Sequence, residues 1–368
     1  MLIYIILYLS LLPSILYDTT RTTIIKKKRF LIFLIIIFTL FRGLRWNTGT
    51  DWDQYLNHFE SLNINNFLNY SRYGGDETLE PLYAFINVFI GFFGDYTLFL
   101  IVTNLFILYT YYYISIKYTP KPIITFALLL ICTSFFPVRL EFAATVLMWT
   151  IPSLISQNVK QFLLVVFIAF FIHKSAIIFL PFYWILRYKV NFLLQIALYT
   201  ACTFLISETT IRGIILGMSL IMPISSVQEA AQNYLNASFD YDISKVVSGI
   251  TSYIMAVTFL FLMHLYTKKR KETLLYTVSV NAYLYLSCIS QVIPESIGDL
   301  GRVGGFFIWG LPIAFSFITD YYLKTKFKYI VLVLLILYCI YKFIRLCGLF
   351  PEALFPYYSI FNSPPYVR

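Results

Sequence analysis

The sequence predicts an all-α polytopic membrane protein with about 10 to 12 transmembrane helices. Composition, the spacing of apolar runs and the placement of charge between them carry that prediction. Of 368 residues, 59% are hydrophobic and only 12% are charged, with a mean hydropathy of +0.75. A soluble domain carries about 25% charged residues, so half that share argues for a lipid-embedded body. The 36 Phe and 31 Tyr suit aromatic belts at two interfaces. The net charge of +10 does not call for nucleic acid, because the basic residues lie mostly in short clusters between apolar runs. The cysteines (Cys132, Cys202, Cys288, Cys339 and Cys347) show no C-x-x-C spacing, which argues against a disulfide framework or a zinc site.

Apolar runs read as spans at 2–17, 29–45, 96–117, 123–138, 140–156, 161–173, 174–188, 190–206, 246–266, 273–293, 304–322 and 329–346. The first ends in "LYDTTRTTIIKKKR" with no A-x-A-like site, so it reads as a retained span rather than a cleaved signal. Several runs fall short of the roughly 20 residues that cross a bilayer without strain, so tilted, broken or re-entrant helices are expected. "PLYAFINVFIGFFG" at 81–94 is short and ends in glycine, which suits a juxtamembrane helix along the outer surface. No repeat or soluble segment interrupts the pattern. Residues 1–368 therefore read as one integral-membrane domain. Its external loops are 46–95, including the juxtamembrane stretch, and 207–244, where "IRGIILGMSLIMPISS" is apolar enough to dip into the membrane.

Charge orients the spans. Loops holding Arg21 and Lys26–Arg29, Lys117 and Lys121, Lys160, Arg187 and Lys189, Lys268–Lys271, and Lys324–Lys328 are strongly basic. Their only acids are Asp18, Glu272 and Asp320, so the positive-inside rule places this set in the cytoplasm. The stretches 46–80, 207–244 and 294–302 are predominantly acidic and fall outside.

Removing the topology charges leaves a short set near the outer ends of spans. Arg45, Asp51, Asp53 and Tyr55 lie in "FRGLRWNTGTDWDQYLNHFE", and Glu80 closes the first loop. Arg139 and Glu141 interrupt "SFFPVRLEFAAT", His173 and Lys174 interrupt "VVFIAFFIHKSAIIFLPFYWI", and Glu295, Asp299 and Arg302 lie in "QVIPESIGDLGRVGGFF". An ionised side chain at mid-bilayer costs about 2.5–3.5 kcal/mol, so such residues face a water-filled cavity or a charged partner. Their shared level allows one outward-facing cavity. Each also has a plainer role. Arg45 and Arg302 can snorkel to headgroups. Asp51 can cap a helix beginning "DWDQYLNHF", and Asp53 can be solvated. Arg139 and Glu141 can form a loop ion pair, and His173 with Lys174 can mark an outer turn. "DWD" matches a metal-holding D-x-D pattern, but that pattern needs a cytoplasmic α/β domain with no room in this chain.

The order of "RWNTGTDWDQY", "EPLY" at 80–83, "VRLEFAA" at 138–144, "IHKSAIIFLP" at 172–181 and Arg302 before "GGFFIWGLP" resembles the EpsG-like, Wzy-type family of bacterial polysaccharide polymerases. The family often has Gln after the arginine element, where this chain has Leu140 and Glu141. The resemblance implies a GT-C-like inner-membrane glycosyltransferase acting outside, with undecaprenyl-diphosphate-linked oligosaccharide as donor and acceptor. A chain-length regulator is a possible partner. No nucleic acid, cofactor or metal is expected, because the donor already carries its leaving group.

The residue types suit that chemistry. Arg45, Arg139, Lys174 and Arg302 are candidates for the diphosphate, whose charge grows as it leaves. Asp51, then His173, are candidates for the base that activates the attacking hydroxyl. Tyr55, Glu80 and Glu141 are candidates for sugar binding. An O-antigen ligase or another GT-C transferase would carry a similar cluster. A lipid-oligosaccharide flippase would instead need internal pseudo-symmetry and midplane charges. A membrane acyltransferase would want a catalytic histidine near the cytoplasm, where His264 lacks companions.

Overall fold

The computed structural model describes residues 2–20, 22–71, 78–204, 243–270, 272–292 and 303–362. The loop 207–242, Glu295, Asp299 and Arg302 lie outside them. The chain is an all-α polytopic membrane protein, and the described residues form no β-strand. Its backbone groups into two compact units, one of residues 1–177 with 312–368 and one of residues 178–311.

The first unit opens with α1 (Leu2–Leu9), α2 (Leu11–Tyr17) and α3 (Ile24–Gly43). Thr23 starts α3 by accepting the Lys26 N–H on its hydroxyl. Two short helices follow, α4 (Trp52–Ser61) and α5 (Pro81–Gly91), and then the long α6 (Tyr96–Tyr118), begun by an Asp95 cap. α3 and α6 approach closely at Gly43, where a Cβ would sit 2.5 Å from the Ile101 side chain.

The centre of this unit is α7 (Pro122–Cys132), buried along almost its whole length and packed by α2, α3 and α6. Its apolar residues suit a helix enclosed on every side, and its start is fixed from a distance. Pro122 has no N–H to satisfy, and the next two amides, Ile123 and Ile124, donate to Asp18 Oδ2 at 2.9 and 3.1 Å. Lys27 Nζ neutralises the same carboxylate at 2.6 Å. Asp18, which reads in the sequence as an exception in a basic loop, is a fully buried helix cap.

The run 140–156 is one broken helix. α8 (Arg139–Leu147) passes through a 3-10 turn, Met148–Thr150, into α9 (Ile151–Ser156). The break falls where Pro152 removes a backbone donor. α10 (Val159–Phe170) follows. The predicted span 174–188 is not a continuous α-helix. It is a 3-10 helix, Lys174–Phe179, followed after Pro181 by the single turn α11 (Phe182–Ile185).

The second unit holds α12 (Phe192–Phe204), α13 (Ile243–Thr267), α14 (Leu274–Val292) and a 3-10 helix, Val303–Phe307. The chain then runs through α15 (Gly310–Tyr322) into the first unit, which ends with α16 (Lys328–Leu349) and α17 (Pro351–Leu354). Among the described residues, four helical stretches are long and apolar enough to cross a membrane: Tyr96–Tyr118, Ile250–Thr267, Val303–Tyr322 and Lys328–Gly348. Others, such as α7, α10 and α12, are apolar but shorter. An 11-residue helix such as α7 extends only about 16 Å against a hydrocarbon core of about 30 Å. Short and broken helices are thus a main feature of the fold.

Candidate active site

Two clusters in the first unit contain most of the residues that the sequence singles out. The first is the loop between α3 and α4. Three of its residues have positive φ: Asn47 at 40°, Gly49 at 100° and Asp51 at 60°. Gly49 is required twice over. Its backbone is left-handed, and an added Cβ would lie 2.6 Å from Arg45 Nη1 and 3.0 Å from the Phe136 ring. Asp51 occupies the position before α4 but its side chain makes no cap hydrogen bond. The expected N-cap is absent because a left-handed backbone replaces the extended one that capping uses. The carboxylate is left exposed. The next residue, Trp52, is buried against Trp46 and Tyr96, which anchors the loop beneath it.

Arg45 does not snorkel. It is 1% exposed, lies 4.7 Å over the Phe136 ring, and donates from Nη1 to the Thr48 carbonyl at 3.2 Å. Its Nε and Nη2 have no hydrogen-bond partner among the described residues. Arg42, which sequence reasoning missed, is also fully buried. Its Nη2 donates to Tyr8 Oη and to the Ser134 carbonyl, each at 3.2 Å, while its Nε and Nη1 have no partner among the described residues. The signal was present in "FRGLR", where a second arginine lies three residues before Arg45 at the end of the same apolar run.

The C-terminal segment ties this loop down. Gly49 N–H donates to the Ala353 carbonyl at 2.7 Å, Trp46 N–H to Tyr358 O at 2.9 Å, and Ile360 N–H to Leu44 O at 3.0 Å. Thr48 Oγ1 accepts the Tyr358 N–H at 3.1 Å, and Tyr357 Oη donates to the Phe41 carbonyl at 2.7 Å. Burial pushes the Tyr357 phenol up to about 12 against a smaller lowering by Arg45, so it is neutral at physiological pH. No sequence signal joined residues some 310 positions apart.

The second cluster is built on Glu80. Pro81 starts α5, and the Leu82 and Tyr83 amides donate to the Phe171 carbonyl at 3.0 and 3.3 Å, docking this end on the turn before His173. Glu80 Oε2 meets Arg139 Nη1 at 2.7 Å, with both side chains buried, and Oε1 accepts the Lys174 N–H at 3.2 Å. The loop pair Arg139–Glu141 therefore does not form. Glu141 instead turns back along its own helix, accepting from Ser134 Oγ at 2.8 Å and from the Val138 N–H at 3.3 Å. Lys174 extends an exposed ammonium, 3.4 Å from the Thr78 carbonyl.

His173 is buried, and the Ser175 N–H donates to its Nδ1 at 3.3 Å. The Ser175 hydroxyl lies 2.7 Å from the same nitrogen, so Nδ1 is engaged by Ser175 through both its backbone and its side chain. Ser175 is a second residue that the sequence reading passed over, although the H-x-S spacing carried it.

The two clusters are joined through α4 and α5. Tyr55 is buried with its ring 6.3 Å from that of Tyr83, three residues after Glu80. Burial holds the Tyr83 phenol well above its ordinary range, so it too is neutral. No group of three or more His, Cys, Asp or Glu among the described residues is placed to hold a metal ion. The EpsG family model matches residues 28–359, a range that takes in both clusters and most of the C-terminal tie. No curated protein and no solved structure matches the chain.

Proposed function

The chain belongs to the EpsG family, and from that premise we propose that it polymerises oligosaccharide repeat units linked to undecaprenyl diphosphate on the outer face of a bacterial inner membrane. Membership supports a polysaccharide-polymerase-like function in general. The observation that carries the finer reading is the 45–51 loop, which uses three positive-φ residues to leave the Asp51 carboxylate exposed and unused by the helix behind it. Backbone held in sparsely populated regions concentrates at functional sites.

In the proposed reaction Asp51 takes the proton from the terminal sugar hydroxyl of a new lipid-linked unit. That oxygen attacks the anomeric carbon of the growing glycan, and the bond from that carbon to the lipid diphosphate breaks. The departing diphosphate takes the bond's electrons. The exposed Lys174 ammonium offers it a cation, and Arg45 offers two nitrogens, Nε and Nη2, without a hydrogen-bond partner among the described residues, once the loop above it gives way. Asp51 is exposed and makes no cap hydrogen bond, whereas His173 is buried with Nδ1 held by Ser175, which favours Asp51 as the base. Arg139 already has a carboxylate, so its role is to fix Glu80 and, through it, the Lys174 backbone. Tyr55 and Glu80 line the sugar side.

The test is a gel of surface glycolipid from the native host, comparing a deletion strain carrying wild type or Asp51→Asn at equal protein levels. The expected result is a ladder with wild type and a single repeat unit with the variant. Loss of every repeat unit on deletion would mean an upstream flippase or transferase. Polymer that accumulates on its lipid carrier would mean a ligase.

A further inference from the structure

The second unit holds a polar cavity of about 250 Å³ between α12, α13 and α14, unrelated to the clusters above. Lys189, His264, Lys268 and Glu272 lie around it, with Lys269 and Arg270 next in the chain. Glu272 is engaged by Lys189 at 3.0 Å, which leaves the rim cationic. Asn281 lines the cavity and is fully buried. Its amide nitrogen donates to the Leu186 and Tyr188 carbonyls at 2.9 and 2.7 Å, which fixes the orientation of the amide. Its Oδ1 then has no partner among the described residues.

A second cavity of about 500 Å³ adjoins it, an apolar groove between α12 and α13 lined by Phe192, Leu193, Ala197, Val257 and Phe261. Phe192 belongs to both, its ring stacked on His264 at 4.3 Å. A cavity with a basic rim thus lies beside an apolar groove, with Phe192 lining both.

We propose that this pair of cavities binds one anionic glycerophospholipid, of the phosphatidylglycerol type. The phosphodiester meets Lys268 and Lys189 at the rim, and an acyl chain fills the groove along Ala197 and Phe261. The charge clusters at 187–189 and 268–271 place the lipid in the cytoplasmic leaflet. The site is independent of the polymerase reading, because its occupant is a structural lipid and not a substrate.

Native mass spectrometry and thermal shift on the delipidated full chain test it, with phosphatidylglycerol, phosphatidylcholine and inorganic phosphate as separate probes. Phosphatidylglycerol is expected to bind and stabilise the wild type well above phosphatidylcholine, with phosphate alone giving no shift. Lys189→Gln with Lys268→Gln is expected to weaken phosphatidylglycerol by about tenfold or more. Ala197→Trp, which fills the groove, is expected to abolish the preference, while Leu198→Trp beside it retains it. Equal binding of the two lipids, or an unchanged preference in Ala197→Trp, overturns the proposal. Full stabilisation by phosphate alone also overturns it, in favour of a free-anion site. If Ala197→Trp does not fold, the lipid selectivity of the wild type and the lysine double variant decide.

Discussion

Arg45 and Arg139 are both buried, yet among the described residues only Arg139 has a carboxylate to neutralise it. Breaking a buried pair leaves an uncompensated charge and costs about 3–5 kcal/mol. Glu80→Gln is therefore expected to lower stability by about that much, seen as a large drop in melting temperature in detergent. Glu80→Gln with Arg139→Met should recover part of it. Asp51→Asn removes no such partner, so it should melt like wild type while losing polymer. Gly49→Ala is expected to cost about 1–3 kcal/mol through left-handed strain, with further loss from the crowded Arg45 and Phe136. The same melting assay checks it. Asp51, Glu80, Arg139 and His173 stood out as candidates because charge is conspicuous in apolar sequence. Their pairing was not legible. Arg139 chose Glu80 across 59 residues over Glu141 two residues away, because Glu141 was needed to start its own helix.

At the scale of elements, α4 was legible from the cap type before "DWDQYLNHF", and α5 and α6 from the apolar runs at 81–94 and 96–117. The run 174–188 misled because apolar composition says nothing about continuity, and Pro181 divides it. Long-range ties were silent for a different reason: a backbone amide can bond any carbonyl, so residue types do not announce the partner. Two ties carry expectations. Asp18→Ala should uncap α7 and strand Lys27, at a cost of about 3–5 kcal/mol, read as loss of monodisperse protein in detergent. A stop after Phe350 should release the loop at 44–49, since Ala353, Tyr358 and Ile360 supply its backbone partners. Limited proteolysis should then cut near Trp46, where the intact chain is protected.

Across the whole molecule, charge asymmetry predicts that the Asp51 loop lies outside and Lys160 inside. In a chain with its five native cysteines replaced, a cysteine at Asn63 should react with a membrane-impermeant maleimide added to intact spheroplasts. One at Lys160 should react only after lysis. The reverse pattern would invert the topology and remove the external site. The membrane class was legible from composition, and family membership from the order of five short motifs. Which short helices cross the bilayer was not, because crossing depends on how broken segments stack and not on the hydropathy of each.

The central claim is that Asp51 serves a glycosyl transfer from lipid diphosphate. Its most direct test uses purified protein in liposomes with one synthetic undecaprenyl-diphosphate repeat unit and no nucleotide sugar, following product length and released undecaprenyl diphosphate. The account predicts polymer and released carrier in step with wild type, and neither with a folded Asp51→Asn. Polymer formation by the variant at the wild-type rate, or no polymer from active, correctly folded wild type, would contradict it.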